Sequence, residues 1–404
     1  MKTTQELKQQ VARLKSLIGR NPDLPILEKI LFMDGKMLGT NLGTTLIYDS
    51  EEKGTFLIAA VKLSEILKNV KANSDLGFKY NTETHILHVS INGVDRFQLE
   101  HDDPSEFPRT PEVTEFKSGL TPDILQAMVK ATNFTEDDDL RPTLKGICFT
   151  NNHVVATDGH RLYFKKVDLK TTAKEQIILN LHNAAIKSEI NEAKLATLYV
   201  DPTNFSIVTN KCRIVGRRIN DGKYPNFKAV LPNRKKGILL TIPKSEFETN
   251  IKLALNAANT ITHQVILSPK GNGTLGIDAG DKMYGTHFTT VMNCKFETTR
   301  LITKEELQDS ERELRELEMD MKEALKENAD EETLTKIKAN IEAEEADIEK
   351  WNRYFEEFQI GFNAKFLLHY LKLCNKDTVK LRIYAPNKAT VFNNECLIMP
   401  LVIN

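Results

Sequence analysis

The chain is poor in the residues that staple or anchor small folds: one tryptophan and five cysteines in 404 residues, with no C-x-x-C pair. Cys148, Cys212, Cys294, Cys374 and Cys396 are odd in number and scattered, which excludes a disulfide framework and a thiolate metal site of local spacing. They read as reduced, mostly buried thiols, and no metal or cofactor is expected. No run approaches the roughly 18 apolar residues of a membrane span. The start, "MKTTQELKQQ", lacks the apolar core of a signal peptide, so the expected location is cytoplasmic. An excess of one charge is also missing, with a net of −1, which taken alone argues against a polyanionic partner.

The average conceals a segregation. Residues 303–357 hold 20 Asp/Glu and 9 Lys/Arg, a net of −11, leaving 36 acids and 46 bases, a net of +10, for the rest. Within the acidic segment, apolar residues fall at Leu307, Leu314, Leu317, Met321 and Ala324. After the polar break "KENADEE" they resume at Leu334, Ile337, Ile341, Ile348, Trp351 and Phe355. These are a and d spacings of two helices, the seam of an antiparallel coiled-coil hairpin inserted into the chain. Thr303 followed by Glu306 has the pattern of a capping box.

With residues 303–357 set aside, the remainder repeats three times. "IAAVKLSEILKNV" at 58, "ILNLHNAAIKSEI" at 178 and "IGFNAKFLLHYLKLC" at 360 each run from a strand end into an amphipathic helix. They are spaced by 120 and, without the insertion, 127 residues. Each is followed by strand-like runs, and "SEFPRTPEV" and "GKYPNFKAVLP" close the first two units 117 residues apart. A further helix opens each unit: "TTQELKQQVARLKSLI", "TPDILQAMVKATNF" with Thr121 as cap and Pro122 at the first helical position, and "PKSEFETNIKLALNAAN" with Pro243 in the same role. The expected class is α+β, with two helices packed on antiparallel sheet in each of three domains. Their expected ranges are 1–114, 115–235 and 236–404, the last interrupted by 303–357.

Lysines recur on the polar faces of equivalent helices. Lys365, His369, Lys372 and Lys376 form one stripe, Ser64, Lys68 and Lys71 another, and Lys8 and Lys15 a third; Lys130, Lys187 and Lys252 lie on the other three helices. A single exposed lysine is ordinarily just solvated. The same sign on equivalent helices of three units points instead to a basic track for a polyanion, contacting phosphates without reading bases.

"ATDGHRL" (156–162), "KYPNFKAVLP", "DLPIL" near the start and "IMPLVIN" at the end, together with the three-unit plan, resemble the bacterial DNA polymerase III beta subunit, the replicative sliding clamp. The resemblance covers the chain apart from 303–357. It implies a head-to-tail homodimeric ring around double-stranded DNA, non-catalytic, associated with the nucleoid and opened by a clamp loader. It also implies a pocket for short motifs of the DNA polymerase catalytic subunit and other clamp-motif proteins. Carried over by motif, Leu144, Thr157, Gly159, His160, Arg161, Leu162, Pro225, Val230, Leu397, Met399, Pro400 and Leu401 line that pocket. Arg20 and Asn21 join the lysines named above as DNA-facing residues. Ala229 stands where the family often has a basic residue, and Val402, Ile403 and Asn404 extend the tail.

Other readings carry less. Asp158 and His160, at i and i+2, could share a strand face as an acid/base pair, but no nucleophile motif accompanies them. "GNGTLG" fits G-x-G-x-x-G formally, yet strand-like "HQVILSPK" and "LGIDAG" flank it, which makes it a hairpin turn. "TEDDDLRP" (135–142) reads as a solvated acidic loop. The rival class is a clamp-like scaffold or inhibitor that binds replication partners without encircling DNA.

Overall fold

The computed structural model describes residues 4–81, 83–100, 102–169, 171–172, 175–232, 238–270, 273–296, 304–326, 329–351 and 358–403, with backbone alone at 304–307, 347 and 349–351. One series of elements recurs three times along it. The first is α1 (Thr4–Ile18), β1 (Lys29–Met33), β2 (Lys36–Thr40), β3 (Thr44–Asp49), β4 (Phe56–Ala59), α2 (Ala60–Asn69), β5 (Leu76–Asn81), β6 (Ile86–Ile91) and β7 (Val94–Glu100). The second is β8 (Phe116–Leu120), α3 (Pro122–Ala131), β9 (Ile147–Thr150), β10 (His153–Thr157), β11 (Arg161–Lys166), β12 (Ile177–Leu179), α4 (Ala184–Glu192), β13 (Ala196–Val200), β14 (Asn204–Thr209) and β15 (Cys212–Arg217). The third begins β16 (Ile238–Pro243), α5 (Lys244–Ala257), β17 (Gln264–Lys270), β18 (Thr274–Asp281), β19 (Thr286–Asn293) and β20 (Lys295–Phe296). After α6 (Lys304–Lys326) and α7 (Glu331–Trp351) it resumes with β21 (Ile360–Asn363), α8 (Ala364–Leu373), β22 (Thr378–Ile383), β23 (Thr390–Phe392) and β24 (Cys396–Ile398).

By packing, the chain divides into two compact units, Met1–Asp158 with Phe164–Pro225, and Gly159–Tyr163 with Asn226–Asn404. The first unit takes in most of two series because a single eight-stranded antiparallel sheet, β4-β1-β2-β3-β15-β14-β13-β8, runs through both. Its joint is the pairing of β3 with β15, in register from Thr44↔Gly216 to Tyr48↔Cys212. β5, β6 and β7 form a separate three-stranded sheet. In the second unit β17, β18, β19 and β21 form a four-stranded sheet, while Arg161–Tyr163 pair with Ile398–Cys396 of β24.

The helices form where apolar residues recur at helical spacing. α1 buries Val11, Leu14, Leu17 and Ile18, each side chain contributing about 2 kcal/mol. It packs on α2 and on α4. Thr121 occupies the cap position of α3 without a side-chain bond to it, and Pro122 is the first helical residue. Pro243 differs from expectation: it is the cap of α5, which begins at Lys244, because the pairing of β16 with β22 extends through Pro243↔Thr378.

One charged group is placed where the apolar pattern gives no warning. Glu189, on α4 between Ile186 and Ile190, is 1% exposed. It accepts hydrogen bonds from the Arg13 guanidinium of α1 and the Tyr48 hydroxyl of β3, and from the Cys212 thiol of β15 at 3.5 Å. Arg13 also reaches Glu192. Burial alone would lower the pKa of Arg13, but its bonds to Glu192 and Glu189 hold it above the usual value. Burial, followed by the Glu189 charge, pushes the Cys212 thiol up to about 12. The carboxylate therefore ties both series of the first unit together at the strand joint.

The inserted segment is a helical hairpin, α6 packed along α7. Leu314, Leu317, Met321, Ala324, Leu334, Ile337, Ile341 and Ile348 are half-buried and most residues between them exposed, as a two-helix seam requires. Thr303 and Phe355 lie outside the described residues, as do the side chains of Glu306, Leu307 and Trp351. Around "GNGTLG", Lys270 pairs with Thr274, a β-hairpin.

Glu189→Ala leaves Arg13 with Glu192 alone and the buried Tyr48 hydroxyl without its acceptor, and should cost about 3 kcal/mol. Glu189→Gln keeps an acceptor and should cost about 1 kcal/mol. Urea unfolding of the two variants checks this; equal losses would show that the carboxylate charge, which both variants lack, governs the joint and that the retained acceptor and volume do not.

Candidate functional site

The turn between β10 and β11 is shaped by Gly159 at φ +87°, a conformation L side chains rarely adopt. It breaks the extended run between Asp158 and His160, leaving Asp158 buried and His160 exposed. The shared strand face that an acid/base pair would need is thus not held.

In the second unit, His160 and Arg161 sit over one aromatic ring. The Arg161 guanidinium carbon lies 4.6 Å from the Phe366 ring centroid, and the His160 ring stacks on Phe366 at 6.1 Å and 28°. Arg161 Nη1 also donates to Nδ1 of His369 on α8. Arginine can only donate, so His369 carries its proton on Nε2. The His160 carbonyl accepts the Met399 N–H at 3.0 Å, and Leu162 pairs with Leu397, both buried.

Beyond β24 the chain is held by β21. Leu401 N–H donates to Gly361 O at 2.8 Å, and Gln264 Nε2 donates to Val402 O at 2.8 Å. A Cβ on Gly361 would stand 2.8 Å from Leu401 O, so glycine is what admits the tail. Met399 remains 42% exposed and Pro400 and Leu401 half-buried; Val230 is 55% exposed. This surface combines apolar side chains with an exposed imidazole, the lining that suits a peptide with hydrophobic anchors.

Three of the expected pocket residues belong to the first unit. Leu144 is buried and its carbonyl accepts from Glu136 N–H. Thr157 N–H donates to the hydroxyl of buried Tyr224 at 3.0 Å; burial before other causes keeps that phenol far above its usual pKa. Pro225, the next residue, is exposed. Tyr224, Phe366, His369, Gly361 and Gln264 were not expected in these roles. The sequence signal for Tyr224 is its place in "KYPNF"; Phe366 shows none beyond its helical phase.

The expected DNA-facing residues fall into groups. Lys68, Lys365 and Lys372 are exposed on α2 and α8. Lys71 and Lys376 are exposed too, but just past the ends of those helices, which stop at Asn69 and Leu373. Lys8 is bound internally, its Nζ donating to Val70 O at 2.5 Å at the end of α2. Lys252 is exposed in an ion pair with Glu248 at 2.6 Å. Lys15, Lys130 and Lys187 are half-buried, and burial lowers the pKa of Lys187. Arg20 is exposed, whereas Asn21 closes a turn, its Oδ1 accepting from Leu24 N–H. In the acidic loop, Arg141 binds Glu136 and Asp138 and Lys145 binds Asp137 and Asp139, so each carboxylate has an ion-pair partner nearby. No metal-binding cluster occurs among the described residues, and no described helix is long and apolar enough to cross a membrane.

The fold is that of the DNA sliding clamps. The DNA polymerase III subunit beta of Pseudomonas aeruginosa matches 100% of this chain and 99% of its own at a TM-score of 0.74 and 16% identity. The beta subunit from Streptococcus pyogenes matches 99% of both chains at 0.74 and 16%. A further P. aeruginosa structure is of the clamp bound to griselimycin. At such identity the likeness is one of fold.

In sequence, the chain is similar to the beta sliding clamps of Haemophilus influenzae and Staphylococcus epidermidis. The first is 26% identical over 246 residues, 55% of this chain and 65% of the relative. The second is 24% identical over 252 residues, 59% and 65%. The chain thus spans just under two thirds of the curated relatives it matches, as a divergent relative of the beta subunits. No family model matches it.

Phe366→Ala removes the ring under Arg161 and His160. The loss should be about 3 kcal/mol, of which about 1 kcal/mol is the cation–π part. Thermal unfolding of Phe366→Leu, which keeps most of the volume, should recover all but that part; a Phe366→Leu variant as stable as the wild type would contradict a role for the ring face.

Proposed function

We propose that this protein is a DNA sliding clamp: a non-catalytic homodimeric ring that encircles duplex DNA and holds a polymerase and other replication proteins on it through a peptide pocket. Its domains are 1–114, 115–235 and 236–404, with the hairpin 303–357 inserted in the third. A clamp loader opens it, and it acts in the cytoplasm with the nucleoid.

The observation that carries this reading is a rule of strand pairing. The third strand after the first helix of one series pairs with the last strand of the next, β3 with β15 and β11 with β24. The rule leaves two strands over, β7 of the first series and β19 of the third, each at the edge of its sheet. Applied once more, it pairs β19 of one copy with β7 of another, and two such contacts close a head-to-tail dimer. Both edges carry exposed apolar side chains, Phe97 at 39% and Val291 at 60%, which an unprotected edge would avoid.

The pocket comprises Leu144, Thr157, Gly159, His160, Arg161, Leu162, Pro225, Val230, Leu397, Met399, Pro400 and Leu401. The DNA face draws chiefly on Lys68, Lys71, Lys365, Lys372 and Lys376, whose binding is independent of sequence and sensitive to salt. Tethering raises the effective concentration of the polymerase at its template without new chemistry.

Light scattering should give a mass near twice 45.9 kDa that persists on dilution. Phe97→Asp or Val291→Asp should halve it without unfolding the chain. A wild-type monomer would put the scaffold or inhibitor reading first. Charge reversal at Lys365, Lys372 and Lys376 together should weaken association with duplex DNA about tenfold or more at low salt; unchanged association would move the DNA face elsewhere.

A further inference from the structure

The first unit contains a cavity of about 780 Å³ at the joint of β3 and β15. Its walls include the β2–β3 turn, the segment Pro108–Pro111 that follows the first series, and the end of β15, with Thr203 and Asn204 beside them. The first three hold the same places in the element series as the β10–β11 turn, the segment at Pro225 and the residues at the end of β24, where the candidate peptide residues lie. We propose that this cavity is a second binding site, taking an extended peptide that carries a bulky apolar side chain flanked by carboxylates.

The lining supplies both halves of that chemistry. Arg109, Arg217 and Arg218 face it against one acid, Asp221. The Arg109 and Arg217 side chains are exposed and make no hydrogen bond or ion pair among the described residues. Arg218 donates from Nη1 to Asp201 O at 2.8 Å and from Nη2 to Gln176 O at 3.1 Å, while its buried Nε has no partner among the described residues. Guanidinium groups with free donors match carboxylates in a forked geometry.

The apolar half is Leu42 with Pro108 and Pro111. Leu42 is 48% exposed and held at φ +68°, a conformation that costs a leucine about 1 kcal/mol or more. The turn is fixed by Asn41 Oδ1, which accepts from Gly43 and Thr44 N–H. A strained leucine presented to solvent beside unpaired arginines does nothing for the core. The mixture favours a peptide over a nucleic-acid backbone, which has carboxylate-like charge but no apolar anchor to fill the Leu42 wall.

The proposal rests on the peptide-pocket reading only for its equivalence of position, and the test separates the two. The probe is a fluorescein-labelled heptapeptide holding two aspartates, two leucines and a phenylalanine, with a counterpart bearing asparagines. Anisotropy titration of the full chain should give two peptides per chain. Arg109→Glu with Arg217→Glu should remove one of them, weakening it at least tenfold, and truncation after Ile398 should remove the other. The asparagine peptide should lose the site at the first joint. Hydrogen–deuterium exchange of the wild-type chain should show protection by the peptide at residues 40–45 and 215–218, whether or not the variants fold. One peptide per chain, indifferent to the arginine changes and giving no protection at 40–45, overturns this inference and leaves the pocket reading intact. Binding lost with the arginines but not with the truncation overturns the pocket reading alone, and no binding by the wild type contradicts both.

Discussion

A strand edge left without a partner presents a row of N–H and C=O groups ready to pair with another chain, and the joints between series take up such edges. Each series makes two sets of strands, and the last strand of one series meets the third strand after the first helix of the one before. At the first joint the ladder alone does not fix the partner, since antiparallel edges are interchangeable in their main-chain bonds. Glu189 adds the specificity: its carboxylate reaches one strand through Tyr48, the other through Cys212, and the first helix through Arg13. A carboxylate at 1% exposure is tolerable only with all of these donors present. The joint therefore assembles correctly or at a cost of several kcal/mol.

The same constraint links fold to function. A chain of three series has two such joints, and β7 and β19 are left at sheet edges without the partner that a joint supplies. In the TDGHRL turn, Asp158 is buried and His160 exposed. Gly159 turns the chain so that His160 is presented and Arg161 packs on Phe366. The acidic hairpin carries its charge on a separate pair of helices, which leaves the remainder with a net of +10.

Much of this was legible in the residues. The three series could be read because each second helix follows a strand-like run containing isoleucine and keeps its apolar phase, as at Leu63, Ile66 and Leu67. The hairpin seam at Leu314 to Ile348 could be read for the same reason. Pro243 was misplaced by one residue because proline fits both the end of a strand and the start of a helix, and the pairing with Thr378 decides between them. What could not be read depends on residues distant in sequence. Glu189 meets Tyr48 and Arg13 across more than 140 positions, and its only local signal is a charge in the phase of Ile186 and Ile190. Likewise, Lys8, bound to Val70, and Lys252, bound to Glu248, look in sequence like Lys68 and Lys365; only the fold shows which ammonium groups are already engaged.

Topological linkage to DNA is the central claim, and it is tested most directly by retention on circular against linear duplex. After incubation with nicked circular DNA for long enough that subunits exchange around it, the chain is covalently crosslinked between subunits and washed at about 1 M salt, where phosphate contacts no longer hold. Protein should stay with the circle and be released when a single cut makes it linear. Equal release from circular and linear DNA would contradict topological linkage.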